Sequence, residues 1–199
     1  MASYTDNSGG GPVVQARRLI ITDNISYENS SDGIDCAVAG CEQLLIADNI
    51  CTNNGLKGID LKITDNVLGN LPFDNASVHG NTVVSNVVGA QGISCQGAED
   101  LTRDLNDWNV YNNTIRLTGS GSIGIRVLRA NNFNIHDNDV QCLVYGIRLT
   151  DANDAHKIYA NHISECTTGI RLDTVVTGTP DNNKIYDNNI TPLTRAVDL

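Results

Sequence analysis

Aromatic residues are scarce in this chain, at 5%, and basic residues are outnumbered by acidic ones, 13 to 23. Few aromatics beside abundant Gly, Asn, Asp and Thr favour many short strands and tight turns over long helices. No apolar run approaches the roughly 18 residues of a membrane-spanning helix, so no membrane partner is expected. The first residues, Met1 to Gln15, lack a basic start followed by an apolar stretch, and no signal peptide is read there. A net charge of −10 withholds the basic footprint of a generic nucleic-acid binder and leaves sugars open. The six cysteines, at 36, 41, 51, 95, 142 and 166, form no CxxC pair and no regular metal spacing. No metal and no other cofactor is therefore expected.

What the chain does have is a repeat. Seven times a short strand ending in an asparagine turn is followed, nine to twelve residues later, by Gly-Ile or a near-equivalent pair. The turn asparagines are Asn24, Asn49, Asn81, Asn113, Asn138, Asn161 and Asn188, and the apolar partners are Ile34, Ile59, Ile93, Ile125, Ile147, Ile170 and Val197. Such a period is the signature of a solenoid, which stacks equivalent residues into columns. Alternation puts Ile and Leu of Gly-Ile-x-Leu inward and x outward, and puts Val78, Val110, Ile135, Ile158 and Ile185 inward on the asparagine-turn strand. Seven parallel coils about 4.8 Å apart make a rod on the order of 30 Å long. The asparagines should adopt left-handed backbone and bond along the rod. The reading is one all-β domain over residues 17–199, with 1–16 as an N-terminal extension.

A working face should appear where a column breaks the pattern. Ile-to-Ile intervals are 25, 34, 32, 22, 23 and 27, and the extra residues fall in 62–75, 96–109 and 173–184, after the Gly-Ile-x-Leu strand. Insertions on one edge wall one side of that sheet. Its outward column reads Asp35, Asp60, Ser94, Arg126, Arg148, Arg171 and Asp198. Stacked arginines repel unless an anion compensates them, which points to an acidic polysaccharide. Asp139, Asp151, Glu165 and Asp173 are the protein carboxylates that could do so instead. Asp35 and Asp60, with Asp32 close by, have the paired-carboxylate arrangement of glycoside hydrolysis. A second outward column, His79, Tyr111, His136, Tyr159 and Tyr186, reads as an aromatic ladder, and Trp108 as core. Cys36 and Cys95 fall on inward positions, and Cys142 and Cys166 are the best candidate for a bonded pair.

This arrangement resembles the right-handed parallel β-helix superfamily of pectin and pectate lyases, polygalacturonases, alginate epimerases and phage tailspikes. The resemblance covers residues 17–199 and implies a right-handed, single-stranded parallel β-helix of about seven coils. Ser31-Asp32-Gly33-Ile34-Asp35 resembles the Asn-Thr-Asp-Gly motif of polygalacturonases, which makes Asp32 the matching catalytic residue. Gln91-Gly92-Ile93-Ser94 falls where that family has Gly-His-Gly, and Gly124-Ile125-Arg126-Val127 is similar to its Arg-Ile-Lys segment. The family's aspartate pair is here Asp60 alone, its histidine is Gln91 and its lysine is Leu128. Where alginate epimerases carry Asp-Pro-His-Glu, Asp35 is followed by Cys36, Ala37 and Val38. The expectation is a carbohydrate-active module with Asp35, Asp60 and Asp32 as catalytic candidates, and Ser94, Gln91, Arg126, Arg148 and Arg171 as substrate ligands. It would bind, and in an active form cleave or modify, an acidic polysaccharide, outside the cell or on a virion. The alternative is a non-catalytic shaft or receptor-binding module, with a homo-oligomer or a larger parent chain covering the open ends.

Overall fold

The computed structural model describes residues 18–38, 43–63, 73–97, 105–150, 155–173 and 182–198. The expected N-terminal extension and most of the three insertions lie outside the described residues. Every element among the described residues is a strand, and every pairing is parallel. Among the described residues there is no helix long and apolar enough to cross a membrane.

The strands form three sheets of seven and a small fourth one of three. Sheet A comprises Arg18–Thr22, Gln43–Ala47, Ala76–His79, Asn109–Tyr111, Asn134–His136, Lys157–Tyr159 and Lys184–Tyr186. Sheet B comprises Ile25–Tyr27, Ile50–Thr52, Thr82–Ser85, Thr114–Leu117, Asp139–Gln141, His162–Ser164 and Asn189–Thr191. Sheet C comprises Ile34–Val38, Lys57–Ile63, Gln91–Gln96, Ile123–Leu128, Tyr145–Thr150, Thr168–Asp173 and Arg195–Asp198. The chain visits A, B and C in turn, seven times. This is the right-handed parallel β-helix, the hand that parallel crossover connections impose.

The core is the sum of the inward columns. Ile59, Ile93, Ile125, Ile147 and Ile170 are in register and fully buried, with Ile34 at their foot. Glycine precedes each of them because the coils approach closely there. A Cβ on Gly124 would lie 2.5 Å from the carbonyl oxygen of Gly146 and 2.3 Å from Val140 Cγ1. Trp108 is core, stacked on Phe133 at 5.5 Å, with the buried His156 edge-on beyond it.

The corner between sheets A and B holds the asparagine ladder. Each amide donates to the next asparagine's Oδ1 and to backbone carbonyls: Asn138 Nδ2 lies 2.9 Å from Asn161 Oδ1 and from Val110 O, and 3.0 Å from His136 O. Asn49, Asn81, Asn113, Asn138 and Asn161 are all buried. One expectation is corrected here. The left-handed residue is the one before the ladder asparagine: Asp23, Asp48, Gly80, Asn112, Asp137, Ala160 and Asp187 have φ between 52° and 66°, for example 53° at Ala160. That residue turns the chain, so the asparagine after it points inward. The other corners follow the same rule, with Asp107 before Trp108, Asn132 before Phe133, Asn53 before Asn54 and Glu165 before Cys166. A second, shorter ladder at the corner between B and C links Asn29 to Asn54 at 2.8 Å, which the sequence pattern did not reveal.

Candidate functional site

Sheet C carries the mixed charges, and its register is the one expected. Asp35 pairs with Asp60, Asp60 with Ser94, Ser94 with Arg126, Arg126 with Arg148, Arg148 with Arg171, and Arg171 with Asp198. Strand alternation places all seven on the outer face. They are not equally open: Asp60 and Ser94 are buried, Arg126, Arg148 and Arg171 half-buried, and Asp35 exposed. An open groove around Asp60 is therefore not what the structure shows.

The lower end of the column is an acidic cluster clamped by lysines. Carboxylate oxygens of Asp32, Asp35 and Asp60 lie within 4.8 Å of one another. Lys57 Nζ reaches Asp60 at 2.7 Å, and Lys62 Nζ bridges Asp60 at 3.0 Å and Asp35 at 2.9 Å. Burial opposes the charge on Lys62, but hydrogen bonds to Asp35 and Asp60 outweigh it and its ammonium is pushed up to about 12. Burial, then the neighbouring Asp60, pushes the Asp32 carboxyl up. Burial thus favours the protonated form of Asp32, the kind of bias from which a general acid is built. Three carboxylates are also a hard, all-oxygen donor set, yet two of them, Asp35 and Asp60, are already compensated by lysine ammonium groups. The sequence reading missed both lysines. Lys62 stands two residues beyond Asp60 and so on the same face, which was the available signal.

The upper end is the reverse, arginines held by carboxylates. Asp173 accepts from Arg148 Nε at 2.6 Å and from Arg171 Nε, while Arg171 Nη1 reaches Asp198 at 3.0 Å. Burial pushes the Asp173 carboxyl up, but the hydrogen bonds from Arg171 and Arg148 prevail and hold it below its usual value. The Tyr145 ring lies under both guanidiniums, with Arg148 Cζ at 5.0 Å and Arg171 Cζ at 5.5 Å from its centroid. Of the other carboxylates weighed for this role, Asp139 pairs with Arg116 and Glu165 with Gln141, and Asp151 lies outside the described residues.

Between the two ends stands Arg126, which forms no ion pair with any described residue. Its Nε is buried and has no hydrogen-bond partner. Burial and the neighbouring Arg148 both lower its affinity for a proton, against a smaller pull from Asp60; a guanidinium remains charged all the same. It is not alone in being unsatisfied. Asp32 Oδ1, Asp60 Oδ1, Gln91 Oε1 and Thr150 Oγ1 are also buried without partners, and all sit on sheet C or just before it. Native proteins leave few such atoms, and a cluster of them on one face calls for a reason.

The aromatic column of sheet A has a different character. His79, Tyr111, His136, Tyr159 and Tyr186 stack in order with centroids 4.8, 5.1, 4.7 and 5.1 Å apart. Each inner ring spends both faces on its neighbours, so none is left to lie flat on a sugar. The column stabilises its own sheet.

These features define a parallel β-helix whose asparagine and aromatic columns are regular and whose sheet C carries a column of mixed charges. More narrowly, the chain belongs to the family described as periplasmic copper-binding protein (NosD), a family of right-handed parallel β-helices whose model matches residues 74–192. Gln91, Ser94 and the three column arginines lie within the matched stretch, and Asp32, Asp35 and Asp60 lie before it. No curated protein and no solved structure matches the chain.

Proposed function

We propose that the chain is a ligand-binding β-helix that works outside the cytoplasm and holds an acidic polysaccharide against sheet C through Arg126. The observation that carries this is the half-buried Arg126 guanidinium, which pairs with no described carboxylate and whose Nε has no hydrogen-bond partner, in a column whose other charges are neutralised within the protein. A uronate carboxylate supplies what Arg126 lacks, a planar acceptor that takes two parallel N–H donors. Arg148 and Arg171 lie on the next two coils, so a linear anionic chain running along the rod would meet a positive stripe. Gln91, which is half-buried, stands one strand before Arg126's on the same sheet. The description of the family as periplasmic supports the location.

Turnover is a narrower form of the same reading. Asp32 as proton donor beside Asp60 or Asp35 has carboxylates at a separation suited to glycoside chemistry. The lysine clamps and the absence of a histidine at Gln91 oppose it, and binding without cleavage is the form proposed. A bare shaft is the outcome if no glycan binds.

Copper, named in the family's description, does not fit the donors among the described residues. The one cluster of three ligating groups is all carboxylate, which suits hard cations. His79 and His136 are separated by the Tyr111 ring stacked between them. Cys142 and Cys166 sulfurs lie 2.9 Å apart, whereas a metal ion between two thiolates needs two bonds of about 2.3 Å each.

The test is affinity electrophoresis on polygalacturonate and alginate, with a neutral glucan as control. Wild type should be retarded by the acidic polymers alone. Arg126→Ala should weaken binding about tenfold, the size of one charge-assisted hydrogen bond, with a shallower salt dependence. Equal retardation of wild type and Arg126→Ala would end this reading.

A further inference from the structure

The thiols of Cys142 and Cys166 are the second unusual juxtaposition in the molecule, and nothing in the glycan-binding reading uses them. Both side chains are fully buried, and their sulfurs are 2.9 Å apart across two adjacent coils. The backbone explains how they meet. Gln141 pairs with Ser164, so Cys142 should face Glu165. Glu165 takes left-handed backbone, φ 59°, and turns the chain there, while the backbone bonds keep one offset: Thr167 N bonds to Leu143 O, and Thr168 N to Val144 O. The same register continues where Tyr145 pairs with Thr168. The turn at Glu165 leaves the next residue, Cys166, buried against Cys142. It leaves Cys142 Sγ 3.0 Å from Tyr145 O and Cys166 Sγ 3.2 Å from Ser164 O.

We propose that Cys142 and Cys166 form a disulfide that staples these two coils. Parallel strands about 4.8 Å apart fall inside the 4.4–6.8 Å Cα window of disulfides, and the sulfurs need to close only to about 2.05 Å. The oxidant is a disulfide of the glutathione class, met while the turn is still open during folding. Cys166, flanked by the exposed Glu165 and Thr167, attacks one glutathione sulfur as its thiolate and releases one glutathione. Cys142 then attacks the Cys166 sulfur of the mixed disulfide and releases the second. Two protein thiols are oxidised, one glutathione disulfide is reduced to two thiols, and the protein's two protons leave with them. In the closed turn the hydrogen bond with Cys142 holds the Cys166 thiol below the usual thiol range.

The staple bears on the working face. Cys142 lies three residues before Tyr145, whose ring supports Arg148 and Arg171, and the bond would fix the two coils that carry those arginines. Location outside the cytoplasm, proposed above, is what would keep the bond oxidised in the cell; the chemistry itself is testable without it.

The experiment is refolding of the full chain in a reduced and oxidised glutathione mixture, followed by alkylation under denaturing conditions, intact mass and peptide mapping. The expected result is the loss of two hydrogens, one cross-linked peptide joining Cys142 to Cys166, and a Tm that falls by roughly 5–10 °C on reduction. The wild-type comparison of oxidised with reduced protein carries the test, so a Cys142→Ser or Cys166→Ser variant that fails to fold does not obscure it. Full alkylation of both cysteines across all glutathione ratios would overturn the proposal, as would a bond that joins either one to another cysteine. Glycan binding plays no part in either outcome, so this inference and the glycan reading fail separately.

Discussion

Two columns run the length of the same rod, and they obey opposite rules. At the corner between sheets A and B every coil repeats one residue, and each amide is satisfied by the coil above and the coil below. On the outer face of sheet C the residue changes from coil to coil, from aspartate to serine to arginine, and satisfaction is incomplete. A repeated column is bound by the need to stack. A varied one is free of that need, and unsatisfied polar atoms gather there. The difference separates the part of the chain that makes a rod from the part that gives it a face.

Substitutions should keep the two columns apart. Asn138→Ala should have the largest effect on folding, about 3 kcal/mol, because it orphans the buried amide and backbone N–H of Asn113 along with two carbonyls. Urea denaturation measures it, and a loss below 1 kcal/mol would show that the ladder is decoration. Asp173→Asn should cost less, about 1 kcal/mol at neutral pH, since its arginine partners are partly solvated. Its folded carboxyl is held below the unfolded value, so the stabilisation is present above about pH 4 and is lost as pH falls through the folded value. Denaturation curves of wild type and variant should therefore converge on acidification; a gap constant with pH would contradict the pairing. The smallest effect is expected at Ala160, an exposed left-handed corner residue with φ 53°. Ala160→Asn should stabilise by up to about 1 kcal/mol, as asparagine accepts that backbone and alanine does not. If the variant is instead less stable, the corner rule fails where it is cleanest.

The same contrast decides what could be read from the sequence. Asn81, Asn113 and Ile147 were legible because a stacked position recurs with every coil, and recurrence is visible in one chain. The preceding left-handed position was less so, for it is aspartate in four coils and Gly, Asn or Ala in the other three. The order of charges on sheet C was legible from alternation, including the stacking of Arg126 on Arg148. Their pairing was not: alternation says that Asp60 points outward, not that Lys57 and Lys62 close over it or that it is buried. Likewise Arg148 and Arg171 both reach Asp173 while Arg126 pairs with no described carboxylate, an outcome set by side-chain reach along and between coils.

The ladder also makes length a free variable of this architecture. Each coil speaks only to its two neighbours, and successive asparagines stand 23 or 25 residues apart where no insertion intervenes. Excising such a unit, from one ladder asparagine to the next, would break two junctions and make one of the same kind. The shaft would shorten by a single step without losing its grammar, while the lettering on sheet C would be re-spelled. Removing the coil of Arg148 would set Arg126 directly beside Arg171, a change of message written by counting coils and not by changing any side chain.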